Sequence, residues 1–171
     1  METWDALTSR RKVREFEDRP IPREALERIL EAARRAPSSR NSQPWDFVVV
    51  TDREQLRELA KVWRGGAHVA NSAATIALVL PVGDEERARR TALFDLGQAA
   101  MAIQIAATDL GIGTAHSAVG DQERAREVLG LPEDRYAAYM LALGHPAGRP
   151  LRPLRRMNRR PLDDVVHWGR W

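Results

Sequence analysis

At 171 residues the chain is long enough for one domain with a hydrophobic core and short for two. An apolar fraction of 43% and a charged fraction of 30% are ordinary for a globular protein, and the lack of cysteine excludes disulfides and thiolate chemistry. The formal charge of +3 rests almost wholly on arginine, since only Lys12 and Lys61 are lysines; arginine's planar fork grips phosphate or carboxylate through two hydrogen bonds, although a GC-rich genome would produce the same bias.

In chain order, Thr3 to Arg10 reads as a short helix with Trp4, Leu7 and Ala6 on one face. It runs into the basic string Ser9-Arg10-Arg11-Lys12-Val13-Arg14-Glu15-Phe16. Arg19-Pro20-Ile21-Pro22 is an extended break, because proline keeps the residue before it out of the helical region. Pro22 then opens a helix in which Leu26, Ile29, Leu30 and Ala33 recur at helical spacing and which Pro37 ends. Asp46 to Val50 reads as a buried strand, Gln55 to Val62 as a helix with Leu56, Leu59 and Ala60 inward, and Gly65-Gly66 as the start of a loop. Ala74 to Val82 is an unbroken apolar strand expected to be buried on both faces. Glu85 to Asp109 is a long helical stretch, in one piece or more, whose middle from Leu96 to Ala107 is apolar nearly all round. A helix of that kind lies in the centre of a molecule or at a dimer interface.

Gly111-Ile112-Gly113 ends that helix and Thr114 to Val119 is a short strand or loop. Asp121 to Leu129 is a helix stopped by Gly130, and Tyr136 to Leu143 is a strand closed by Gly144-His145-Pro146. The remainder is an arginine- and proline-rich segment, Arg149 to Arg160, and an amphipathic end, Leu162 to Trp171. The sum is an α+β fold, a small sheet wrapped by helices, formed by residues 1–171 as a single domain. No basic-then-apolar leader is visible, and the longest apolar run, Ala73 to Val82, is too short to span a bilayer, so a cytoplasmic protein is expected.

Three segments are poorly explained by packing alone. Arg10, Arg11, Lys12 and Arg14 place four cations within five residues. These repel one another unless an anion such as a phosphate monoester sits among them, or unless they are simply a solvated helix end. The loop Ala36-Pro37-Ser38-Ser39-Arg40-Asn41-Ser42-Gln43-Pro44-Trp45 offers the donors and acceptors that the edge of a flat heterocycle needs, or is an ordinary helix–strand connection. Arg149 to Arg160 holds six arginines. It is followed by Leu162, Val165, Val166, Trp168 and Trp171, which are expected to be buried, so that the tail folds back and brings its arginines to the first basic cluster. His68, His116, His145 and His167 are scattered without metal-ligand spacing; His145 reads as a turn residue, and His116, following the Gly111-Gly113 loop, is placed near a ligand.

Together these segments resemble the nitroreductase-like family of FMN-dependent oxidoreductases. Ser9 to Phe16 is similar to the family's Arg-Arg-Ser-x-Arg-x-Phe opening, and Ala36 to Trp45 to its most specific signature. Leu96-Gly97-Gln98-Ala99-Ala100 through Leu110-Gly111-Ile112-Gly113 resembles its central helix and glycine turn. Ala142-Leu143-Gly144-His145-Pro146 and Arg159-Arg160-Pro161-Leu162 resemble its strand end and basic C-terminal motif. The resemblance implies an α+β sandwich in which the central helix, Leu93 to Asp109, packs against its mate in a homodimer. It implies that Arg10, Arg11 and Arg14 hold the phosphate and ribityl chain of FMN, with Arg160 and Arg159 closing from the C-terminal side. Pro37, Ser38, Ser39 and Asn41 would reach the flavin from the partner subunit, and Thr114, Ala115 and His116 would lie along the isoalloxazine. Lys12 stands where the family has serine and either meets the phosphate or turns outward.

The implied activity passes electrons from NAD(P)H through flavin to a small acceptor such as a nitroaromatic or quinone, with no catalytic side chain, no metal, no nucleic acid and no membrane required. Alternatives are oxygen-linked or flavin-fragmenting chemistry, a deazaflavin in place of FMN, and a flavin-binding sensor without turnover. A nucleic-acid-binding role for the arginine tail is disfavoured by the scarcity of aromatics beside it.

Overall fold

The computed structural model describes residues 1–83, 85–154 and 158–171. Four antiparallel strands form one sheet in the order β1-β2-β4-β3, where β1 is Asp46–Val50, β2 Ala74–Pro81, β3 Gly113–Ala118 and β4 Arg135–Gly144. The helices are α1 (Thr3–Ser9), α2 (Arg23–Arg34), α3 (Arg53–Ala60), α4 (Ala67–Ala70), α5 (Glu86–Asp109) and α6 (Gln122–Leu129). The stretch after Gly65-Gly66, expected as loop, turns once into α4, and the stretch left between strand and loop at Thr114 is the edge strand β3. α5 is continuous, a single helix of 24 residues.

The alternation of strand side chains divides the core into two layers of packing. Ile76, Leu78, Leu80, Leu141 and Leu143 face α2 and α5 and meet Leu26, Ile29, Leu96 and Ile103. Val50, Ala77, Val79, Met140 and Ala142 face the other way onto Leu56, Leu59, Val69 and Ala125 of α3, α4 and α6. Every residue of β2 from Ala74 to Leu80 is buried, as its unbroken apolar run requires, because helices cover both faces of this antiparallel sheet. A bulge between Leu78 and Val79 lets β2 stay in phase with β4 over its full length. Asp52 and Asp121 cap α3 and α6 by accepting from the backbone N–H of Gln55 and Arg124.

On α1 the buried face is Ala6 and Ser9, whereas Trp4 is 73% exposed, so the expected Trp4 face points to solvent. The larger correction concerns the C-terminal end. Leu162, Val165, Trp168 and Trp171 are 69%, 50%, 90% and 100% exposed, and Val166 is only partly covered. Among the described residues this end forms only a three-residue helical turn at Leu162–Asp164 and a tilted His167–Trp171 pair with ring centroids 4.2 Å apart.

The segment Arg10 to Phe16 meets the open edge of β3 at Thr114 and then crosses to the end of β4, where Phe16 bridges Pro146, the Glu17 N–H donates to the His145 carbonyl and the Ala147 N–H donates to the Glu15 carbonyl. Lys12 pairs with Thr114 as an isolated parallel bridge, and the Val13 N–H donates to the Thr114 carbonyl at 2.9 Å. Gly113 and Gly144 face each other across β3 and β4, and each makes room for a side chain of this segment. A Cβ on Gly113 would sit 2.7 Å from Val13 Cβ, and one on Gly144 would sit 2.6 Å from Phe16 Cδ1. Gly113→Ala is therefore expected to destabilise the protein by about 1–3 kcal/mol through overpacking against branched Val13, read as a lower Tm than wild type.

Candidate functional site

An extended segment sends alternate side chains to opposite sides. Val13 goes into the core at 3% exposure. Arg10 reaches back to α5, where its Nη1 donates to Gln104 Oε1 at 3.1 Å. Arg11 points elsewhere and donates through Nη2 to the Arg149 carbonyl at 2.5 Å. Burial, and then the neighbouring Arg149 charge, push the Arg11 pKa down from its ordinary value. Lys12 and Arg14 are exposed.

Two histidines face these cations. His116, on β3 one residue beyond the buried pair Thr114 and Ala115, has its pKa lowered by desolvation and then by Lys12 and Arg10. His68, on α4, is 6% exposed, and its pKa is lowered by desolvation and then by Arg14, with a smaller contribution from Lys12. The carbonyls of Gly65 and His116 pull the other way. His68 was absent from the residues picked out in the sequence. Its signal is tertiary, because a one-turn helix with no pattern of its own brings it to the cation segment and to His116. The Nε2 of His68 and the Oγ of Ser9, like Arg126 Nε and His145 Nε2, are buried without a hydrogen-bond partner among the described residues, an arrangement that costs free energy.

The polar loop sits at a different level of the same helix. The Ser39 N–H donates to buried Asp95 Oδ2 at 2.9 Å, and Gln98 Nε2 donates to the Pro37 carbonyl at 3.3 Å. Ser38 Oγ accepts from the Gln43 N–H at 3.0 Å, and Ser39–Asn41 forms one 3-10 turn. Arg40, Asn41 and Gln43 have φ of 53°, 56° and 45°. Left-handed backbone at three non-glycine residues is uncommon and holds only where the surroundings enforce it. Asp95 and Gln104 are nine residues apart on α5, about 14 Å along its axis. Within one protomer Ser38, Ser39 and Asn41 thus stand apart from Arg10. Arg159 and Arg160 hydrogen-bond within the tail, to the carbonyls of Asn158 and Asp164; Arg155 and Arg156 lie outside the described residues. No group of three or more His, Asp or Glu placed to hold a metal ion occurs among the described residues.

The profile of the Nitroreductase family matches residues 7–75 and 63–145. The chain belongs to the nitroreductase family. A protein of Archaeoglobus fulgidus, provisionally named NADH dehydrogenase/NAD(P)H nitroreductase, is 35% identical over 144 residues, covering 82% of this chain and 83% of the relative. An FMN reductase [NAD(P)H] of Bacillus subtilis is 31% identical over 171 residues, covering 86% and 67%. The NADPH:FMN oxidoreductase of Vibrio harveyi, solved in complex with NAD+, superposes with a TM-score of 0.86 at 26% identity, over 97% of this chain and 76% of that one. The two family matches cover the Arg10 segment, the Ser38 loop, α4 and β3, so every part of the site except the C-terminal tail lies within them.

Two outcomes follow. Asp95→Ala should leave the Ser39 N–H without its carboxylate, destabilise the protein by roughly 1.5–3 kcal/mol, and speed proteolytic cleavage between Ser38 and Gln43. For the histidines, a pKa held below the unfolded value of 6.5 means that the unfolded chain binds protons first as pH falls. Stability of the ligand-free protein should therefore be greatest above about pH 6.5 and decline below it, and His68→Gln should flatten that decline. A Tm series from pH 8 to pH 5 checks both, and an unaltered slope in the variant would contradict the placement of His68.

Proposed function

We propose that this chain is an FMN-dependent oxidoreductase that passes electrons from NAD(P)H to a small acceptor such as a nitroaromatic or quinone, acting as a homodimer. The observation that carries the reading is the set of cations Arg10, Lys12 and Arg14, gathered by the bridge of Lys12 to Thr114 of β3 so that their charges act on His116 and His68. That set fits FMN: cations for a phosphate carrying close to two charges, and imidazoles and backbone for the edge of a flat ring. Lys12, where the family resemblance implies serine, belongs to this row as a point charge. Arg11, turned toward Arg149, contributes to the field around the phosphate, and Arg159 and Arg160 close over it. Thr114, Ala115 and His116 form the wall along the ring. When bound, FMN supplies the two-electron chemistry; the protein binds and orients the ring and keeps positive charge near it. Desolvation, then Lys12 and Arg10, lower the His116 pKa from its ordinary value, which suits a hydrogen-bonding wall along the ring.

The homodimer is supported by what one protomer leaves uncovered. On α5, Phe94 is 72% exposed, and Gly97, Gln98, Met101 and Ile105 are exposed or half-buried at helical spacing. The tail adds Leu162, Val165, Trp168 and Trp171. Two α5 helices packed antiparallel about a twofold near Ala99 and Ala100 would set the Asp95 level of one against the Gln104 level of the other. The gap of about 14 Å within a protomer then closes across the interface, and Pro37, Ser38, Ser39 and Asn41 meet the second protomer's basic row. Residues 1–171 act as one nitroreductase-like unit, and the cytoplasm, where reduced nicotinamide is made, is its proposed place of work.

The test is an anaerobic titration of the FMN-loaded protein with NADPH or NADH. Bands near the visible flavin maxima should bleach, and a nitroaromatic or quinone should restore them. Arg10→Ala with Arg160→Ala should weaken FMN by about 10²–10⁴-fold, taking about 1.5–3 kcal/mol for each lost charged contact. Protein that neither takes up FMN nor bleaches, or a double variant that binds FMN as tightly as wild type, would refute the assignment. Trp168→Ala with Trp171→Ala should shift sedimentation toward monomer.

A further inference from the structure

A cleft of about 580 Å³ runs from the Ser38 loop along the first turns of α5, and apart from Ser39 none of its lining residues has a part in the FMN reading. Its lining includes the small apolar residues Pro44, Pro81, Ala88 and Ala92. Its rim carries Arg40, Arg87 and Arg89, together with Glu85. Asp95 closes the inner end, already engaged by the Ser39 N–H. Among the described residues, Arg40, Arg87 and Arg89 form no salt bridge, whereas neighbouring Arg90 pairs with Glu86 at 4.0 Å. Guanidinium groups without a salt-bridge partner among the described residues, set beside small apolar side chains, suit a ligand with a flat body and anionic corners. The volume lies within the range of small-molecule sites.

The position narrows the ligand. Ser39 and Ser42 line one end of the cleft, and Ser39 belongs to the loop that, on the dimer reading, touches the partner's flavin. From Asp95 to Arg87 is about 12 Å along α5. A molecule whose reactive ring stacks on the flavin and whose other end lies in the cleft must be long, flat at both ends, and anionic away from the ring. A reduced dinucleotide has that form. A 2′-phosphate adds a monoester of nearly two charges, which arginine forks bind better than a hydroxyl.

We propose that this cleft holds the adenosine end of the electron donor, and that Arg40, Arg87 and Arg89 select NADPH over NADH by gripping its 2′-phosphate. The proposal rests on the flavin reading, because the donor must reach the ring from this side.

Two measurements test it apart from that reading. Calorimetric titration with 2′,5′-ADP and with 5′-AMP reports the cleft without any redox step. Wild type should bind 2′,5′-ADP at least about tenfold more tightly, since one charged contact contributes about 1.5–3 kcal/mol. Arg87→Ala with Arg89→Ala should abolish that preference. Arg90→Ala, which removes one positive charge just outside the cleft, should keep it. In turnover, the ratio of kcat/KM for NADPH to that for NADH should fall at least about tenfold in the double variant. Equal binding of the two nucleotides by wild type, or a preference lost equally in Arg90→Ala, would overturn the cleft assignment while bleaching by NADPH left the flavin reading intact. A double variant altered in KM for an anionic acceptor instead of NADPH would likewise overturn it.

Discussion

The backbone seam between the Arg10–Phe16 segment and the edge of β3 is the constraint on which the site depends. Repulsion among Arg10, Arg11, Lys12 and Arg14 opposes gathering them, and the backbone bond from the Val13 N–H to Thr114 supplies only a modest net gain. Burial of Val13 and Phe16 over the facing glycines Gly113 and Gly144 adds the apolar contribution. The seam fixes the phase of the segment, so that Val13 goes inward while Arg10, Lys12 and Arg14 act on His116 and His68. The same seam pairs the open edge of β3 at Thr114, where the strand would otherwise present an unpaired carbonyl.

α5 serves as the common frame. Its inner face, Leu96, Ala99, Ile103 and Ala107, belongs to the core, while Asp95 anchors the Ser38 loop and Gln104 receives Arg10. Three functional levels are therefore ordered along one rigid rod: the arginine-rimmed cleft at its first turns, the loop at Asp95 and the basic row at Gln104. A helix holds such spacings more firmly than loops can. On the proposed reading, this order would let a short chain supply a cofactor cradle and a donor cleft once a second copy joins the two ends.

Local periodicity made most of the fold legible. β1, β2 and β4, the helices α2, α3, α5 and α6, and the stop at Gly130 all follow from apolar spacing, capping residues and turn formers, which act over a few residues. α4 was missed because a single turn, Ala67–Ala70, has no period to read. β3 was ambiguous because Gly113 to Ala118 carries small and polar residues whose strand state comes from pairing with β4. The tail misled because Leu162, Val165, Trp168 and Trp171 read as core residues, and sequence shows that such side chains need cover but not which molecule provides it.

The sequence by itself therefore determined most of the elements, the family and the identity of the basic row and polar loop, since these rest on local chemistry and on motif order. Only the tertiary structure decided which cations share a side with His116, that His68 joins them, that Arg11 turns to Arg149, and that the polar loop stands apart from the basic row within one protomer. Those facts depend on strand phase, on the level at which each segment meets α5, and on contacts between residues distant in the chain, none of which local spacing encodes.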